Sequence, residues 1–279
     1  MIFQRINTHE QTEKQLLNTL FFTSLISFII SYIVVFFLFI CSFAVAASFF
    51  DLAPMIKYPL VNFTHYDIDW DITSVTVVYT SGAIFSLICG LIFNSLYLLV
   101  RNKSKFLQLF ILWGMLHSYS IFLGHIIHSP DQYSYLGCVG SWHHIHLPIK
   151  WFFAVIAMIM LIVTGILNTM SFFRVSYSNR LVQRKSMRIN YMFYTVFFPF
   201  VIGSITCFIY NWPPRGTLMI LLPFCYSLII ITMMLYSTTF AKIKINATES
   251  PYVITKFGVA VAIICIIALR IYLLTPIWF

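Results

Sequence analysis

The stretch GHIIHSPDQYSYLGCVGSWHHIH, residues 124–146, carries His125, His128, His143, His144 and His146, five of the chain's eight histidines. Neutral imidazole is a ligand for zinc, copper, iron and haem. A sixth histidine, His117, lies upstream in the same apolar run. At about 100° per residue, His117, His125 and His128 fall within an arc of roughly 80° on one helix face. Ser129-Pro130 should end that helix, because proline disfavours helical geometry in the residue before it. The loop through Gly137 and Gly140 is then free enough to return His143, His144 and His146 to this end, and at least one of them is expected near His125 or His128. Two readings follow. One is a metal or haem site built from a helical pair and a loop histidine. The other, which we expect, leaves the imidazoles bonded to water or to carbonyls, since loop histidines at a boundary need no ligand.

A second polar group stands in HYDIDWDI, residues 65–72, where His65, Asp67, Asp69 and Asp71 alternate with large apolar residues. In an extended chain the period of two puts these four on one edge and Tyr66, Ile68, Trp70 and Ile72 on the other. The carboxylate edge could take a cation or a basic partner. It is not an EF-hand loop, because Ile72 and Val78 occupy the positions that need glycine and a bidentate glutamate. The expectation is a solvated, amphipathic loop.

Arg270, in AIICIIALRIYLLTPIWF, is the charge that falls clearly inside an apolar run. An arginine at mid-membrane costs about 2.5–3.5 kcal/mol on insertion scales. It must snorkel to the headgroups or find a partner, with helix carbonyls, tyrosines, Asn94, Asn168, an outer aspartate or another subunit as the candidates.

No catalytic motif accompanies these residues. GHIIH holds HxxH without the glutamate of a zinc protease. HIIH and HHIH do not fit the HxxxH and HxxHH boxes of membrane desaturases. Ser81 in TSGA lacks the preceding glycine of a rhomboid-type nucleophile, and no histidine falls in a later run. The six cysteines contain no CxxC pair and imply no disulfide framework.

The elements that must position these groups are membrane helices. Hydrophobic residues make up 60% of the 279 positions and charged residues 9%, with a mean hydropathy of +0.89. Soluble domains carry about 25% charged residues, so lipid must be the main solvent. A spanning helix needs about 20 mainly apolar residues. Seven runs qualify: 16–50, 74–100, 106–128, 151–173, 190–210, 217–237 and 257–277. The first lacks Gly or Pro to fold it into a hairpin. At about 1.5 Å per residue it reads as one tilted helix of roughly 50 Å. Pro199, Gly203 and Pro223 are candidate kinks. The small-residue stretch TSGAIFSLICG, 80–90, permits close helix packing. The polar first fifteen residues and the length of the first run do not fit a cleavable signal peptide.

The gaps between runs set an orientation. Arg5, Lys14, Arg101, Lys103, Lys105, Arg174, Arg180, Arg184, Lys185, Arg188, Lys242, Lys244 and Lys256 all fall in gaps of one parity. The other parity holds Lys57, Lys150 and Arg215 with every aspartate of the chain. Positive-inside counting places the N-terminus in the cytoplasm and the C-terminus outside, with 51–73 and 129–150 outside and 174–189 inside. The net charge of +9 is therefore a topology signal rather than a nucleic-acid surface.

The expected fold is all-α: residues 1–279 form one polytopic transmembrane domain of seven helices, in a bacterial or a eukaryotic membrane. Asn62 opens an outward Asn-Phe-Thr sequon, which matters only in a secretory membrane. With no nucleophile–base pair, nucleotide motif or ionisable relay, the expected function is that of a non-catalytic subunit or accessory factor, without a cofactor. Its partners would be the bilayer and other membrane subunits. The alternatives are an outward-facing zinc, copper or haem protein, including a redox enzyme, on the histidine cluster, and a transporter of small ions or lipids.

Overall fold

The computed structural model describes residues 3–5, 13–57, 59–63, 70–100, 104–176, 178–211, 217–240, 252–254, 256–273 and 275–278. A short strand, β1 (Phe3–Arg5), precedes α1 (Glu13–Ser48). The first apolar run is thus one unbroken helix of 36 residues, about 54 Å long at 1.5 Å per residue. Several of its hydroxyls are satisfied within the helix: Thr19, Thr23 and Ser27 donate to carbonyls four residues back, and Ser31 and Ser42 to carbonyls three back. That pairing suits a solvent that offers no hydrogen bonds.

A hairpin, β2 (Pro54–Lys57) and β3 (Leu60–Phe63), leads to α2 (Ile72–Val100) and α3 (Lys105–Ile127). Gly82 and Gly90 let α2 close on its neighbours. A β-carbon at Gly82 would stand 2.5 Å from the Phe39 ring of α1, and one at Gly90 2.7 Å from Tyr119 of α3. The small-residue stretch is therefore an internal packing seam. Beyond α3 the chain forms a short helix, α4 (Tyr135–Trp142), where the sequence suggested loop throughout, and then α5 (Leu147–Arg174).

The carbonyls at the end of α5 are met from three directions. Tyr97 Oη donates to Ser171 O, Tyr191 Oη to Phe172 O, and the fully buried Lys105 Nζ reaches Arg174 O at 3.4 Å. These are the last-turn groups that a helix leaves without internal partners. Two short helices follow, α6 (Arg180–Gln183) and α7 (Lys185–Met192). A π turn (Phe193–Phe197) then runs into α8 (Phe198–Tyr210), so that Lys185–Tyr210 forms one long apolar segment. Pro199 has no N–H to give to Thr195 O, four residues back. That carbonyl accepts the hydroxyl of Ser24 on α1 at 2.5 Å. The chain continues through α9 (Thr217–Thr238), with Pro223 inside it, β4 (Tyr252–Ile254), α10 (Lys256–Leu273) and β5 (Ile277–Trp278).

Six of these helical segments are long and apolar enough to cross a membrane: 13–48, 72–100, 105–127, 147–174, 185–210 and 221–238. α1 and α3 form the centre, with 61% and 72% of their apolar windows buried, against 33% for α2 and 28% for α5. Phe28, Tyr32, Phe36 and Phe39 of α1 meet Trp113 and Leu116 of α3 in the core.

The short strands mark the two ends of the bundle. β1 pairs antiparallel with β4, at the start of α1. β5 pairs antiparallel with β2, just past the end of α1. α10 connects the two pairs.

Candidate functional site

The histidine-bearing end is built where α3 stops. The helix ends at Ile127, and the His128 N–H caps it on Gly124 O at 2.9 Å. The turn through Ser129-Pro130 brings Asp131 back under His128, with Oδ2 3.2 Å from Nε2. Asp131 Oδ1 accepts the Tyr133 N–H at 3.1 Å. Ser134 then starts α4: its hydroxyl accepts from Gly137 N at 3.0 Å and faces the carbonyls of His128 and Asp131. Serine at this position is a preferred N-cap.

An open cleft of about 380 Å³ lies between the end of α3 and the start of α5, lined by Ile127, His128, Pro130, Asp131, Leu147 and Trp151.

The other histidines take separate places. His117 is buried in the core, with Nε2 3.3 Å from Phe28 O. Phe28 and Tyr32 meet its ring edge-on and Trp113 lies near-parallel to it. His125 is half-buried, stacked on Phe39 at 5.2 Å and 15°, with Tyr135 at 5.4 Å on another side. His143 is exposed, and its Nε2 lies 2.7 Å from Thr76 Oγ1 on α2. His144 is exposed in the left-handed conformation, φ 52°. His146 is the exposed N-cap residue of α5 and makes no side-chain cap bond. Among the described residues, no three His, Cys, Asp or Glu side chains are grouped so as to hold a metal. The loop side chains placed against His125 and His128 are Tyr135 and Asp131. No contact of His143, His144 or His146 with that pair is among the described interactions.

Tyr135 anchors an aromatic cap over this end. It packs on Phe43 at 4.5 Å and on Tyr79 at 5.5 Å, and Tyr79 stacks in turn on Trp70 at 5.7 Å. Burial, with Tyr79 nearby, raises the Tyr135 phenol well above its ordinary value. Trp70 thus rests on the protein, as the apolar edge of HYDIDWDI should. Asp71 is exposed and also serves as a helix cap. Its Oδ1 accepts the Ser74 N–H at 2.6 Å while Ser74 Oγ accepts the Asp71 N–H at 3.0 Å, a reciprocal cap at the start of α2. The Ser74 backbone and hydroxyl hold its carboxyl below the usual range. His65, Asp67 and Asp69 lie outside the described residues.

Lys150 is buried at 8% exposure, donating from Nζ to Gly137 O at 3.0 Å and to Ser141 Oγ at 3.2 Å. It fastens the first turn of α5 to α4. A β-carbon at Gly140 would stand 2.6 Å from Lys150 Cε, so glycine makes room for the stem. Nearby, burial pushes the Cys138 thiol up, and the Lys150 charge offsets part of that shift. Gly137 and Gly140 were legible as flexible residues; their use as a cradle for a lysine ten or more residues away was not.

The Arg270 guanidinium sits 5.5 Å over the Tyr210 ring. This cation–π contact is with a tyrosine, one of the partner types that the sequence offered. Asn168 donates to Thr164 O of its own helix, and Asn94 is exposed on α2.

No protein-family model matches the chain, and neither does any curated protein or solved structure.

Proposed function

We propose that the chain is a seven-span membrane protein without a catalytic cycle of its own, acting as a subunit or accessory factor of a larger membrane complex. The observation that carries this reading is Asn94. It is exposed on α2, with Leu91, Leu98 and Leu99 exposed around it, and its carboxamide has no hydrogen bond among the described residues. A carboxamide brings two donors and an acceptor. Leaving them unmet in hydrocarbon costs several kcal/mol, whereas an interhelical bond to a polar side chain contributes about 1–2 kcal/mol. A second membrane helix against this face meets that demand.

The seven-span arrangement is supported by the strand pairs. β4 lies with β1 at one end and β5 with β2 at the other. An 18-residue α10 between them has a length of about 27 Å, close to the roughly 30 Å of a hydrocarbon core. The basic gaps then support a cytoplasmic N-terminus and an outer C-terminus.

The test is purification of the full chain in mild detergent, as wild type and as Asn94→Leu. The expected result is a defined membrane partner, or an assembly larger than the monomer, that is lost or strongly reduced in the variant. A wild-type protein that runs as a bare monomer in the same detergent would overturn the reading.

A further inference from the structure

The cleft at the end of α3 combines features that the subunit reading does not use. Its polar floor is the His128–Asp131 pair at 3.2 Å. The second ring nitrogen of His128 has no hydrogen bond among the described residues. Its walls are Ile127, Pro130, Leu147 and Trp151, and Trp151 is 57% exposed. It opens where two long apolar helices end, α3 at Ile127 and α5 at Leu147. That is headgroup depth, where tryptophan is enriched.

Below the cleft, α5 continues the wall as an exposed apolar stripe at helical spacing: Leu147, Trp151, Val155 and Met158.

We propose that this cleft holds the headgroup of a zwitterionic phospholipid, with the acyl chains laid along the α5 stripe. The argument is charge complementarity. The Asp131 carboxylate attracts an ammonium and repels a purely anionic headgroup, and the His128 ring beside it gives the phosphate a polar neighbour. The ammonium lies against the Asp131 carboxylate and over the Trp151 face, where cation–π attraction favours it. A cleft of about 380 Å³ has the scale of one small-ligand site.

Native mass spectrometry of the full chain, titrated with phosphatidylcholine, phosphatidylethanolamine and phosphatidylglycerol of the same acyl chains, tests the inference. One zwitterionic lipid should be retained, with phosphatidylglycerol bound about tenfold more weakly. Asp131→Asn, which keeps an acceptor for the Tyr133 N–H, and Trp151→Leu, at an exposed position, should each weaken phosphatidylcholine binding about fivefold or more. An unchanged melting temperature shows that each variant is folded. Equal binding of phosphatidylglycerol, or wild-type affinity in both variants, would overturn the proposal. So would soluble phosphocholine binding as tightly as the lipid, since the site would then serve a free phosphorylated amine.

Discussion

The hydroxyl of Ser24 on α1 donates to the carbonyl of Thr195 across 2.5 Å, and the same oxygen accepts the Trp113 indole N–H at 2.9 Å. Three helical segments are joined at one buried atom. The partner carbonyl is the one that Pro199 has no N–H to serve. The π turn of 193–197 and the central α1–α3 pair are therefore coupled through Ser24 rather than through apolar packing alone.

Ser24→Ala should lower stability by about 1–2 kcal/mol, the range for a buried hydrogen bond whose partners are left behind. Pro199→Ala restores an N–H within reach of Thr195 O. The loss caused by Ser24→Ala should then be smaller in the Pro199→Ala background. A double-mutant cycle by thermal unfolding in detergent measures this; additive losses would mean that the two positions are not coupled.

Lys150→Met should detach α4 from α5 while keeping the length of the apolar stem. Loss of a charge-assisted bond costs about 1.5–3 kcal/mol. The readout is local: cleavage within 129–146 by an added protease should speed up several-fold, with the rest of the bundle intact. Unchanged cleavage would show that α4 is held by its aromatic contacts alone.

The Asp71 cap carries a pH dependence. Its carboxyl is held below the ordinary range by Ser74, so the charged form is favoured in the folded state. The stabilisation is fully present above the ordinary carboxylate range and is lost as pH falls through the depressed value. Amide exchange at Ser74 and Val75 should be slower in wild type than in Asp71→Ala at neutral pH, and the two should converge in acid. A difference that persists in acid would assign the protection to packing.

Elemental analysis and an absorption spectrum bear on the histidine cluster. The His125 ring is stacked between Phe39 and Tyr135, and His143 is turned to Thr76. Purified protein should hold no stoichiometric zinc, copper or haem. A metal that is present and disappears in the double variant His125→Ala, His128→Ala would require the end of α3 to rearrange.

Topology is read by a membrane-impermeant thiol reagent. Tyr133 is 88% exposed, and Ser186 is exposed on the segment between α5 and the π turn. Tyr133→Cys and Ser186→Cys should label from opposite sides, with a C-terminal tag on the Tyr133 side. Labelling of all three from one side would end the seven-span arrangement.

Much of the bundle was legible in the chain because its cause is local. Length and apolar content set which segments can cross lipid, and six of the seven runs coincide with helices long and apolar enough to do so. The first run stays one helix because nothing in 16–50 breaks it, and α3 ends before Ser129-Pro130 because proline forbids continuation. The alternation of basic and acidic gaps is likewise a property of the chain alone.

What the tertiary structure decided is which side chains meet, since that depends on packing between segments far apart in sequence. Periodicity put His117, His125 and His128 on one face, but it could not say that Phe28, Phe39 and Tyr135 cover the first two. Counting charges placed Lys150 in a gap between apolar runs; the docking of α4, with room made at Gly140, makes it a buried fastener. Asp71 read as one of four acidic-edge residues, and the start of α2 converts it into a helix cap. Ser24 gave no signal, because its partner carbonyl lies 171 residues away. Local rules determine which helices exist, and long-range contacts determine what their polar groups are for.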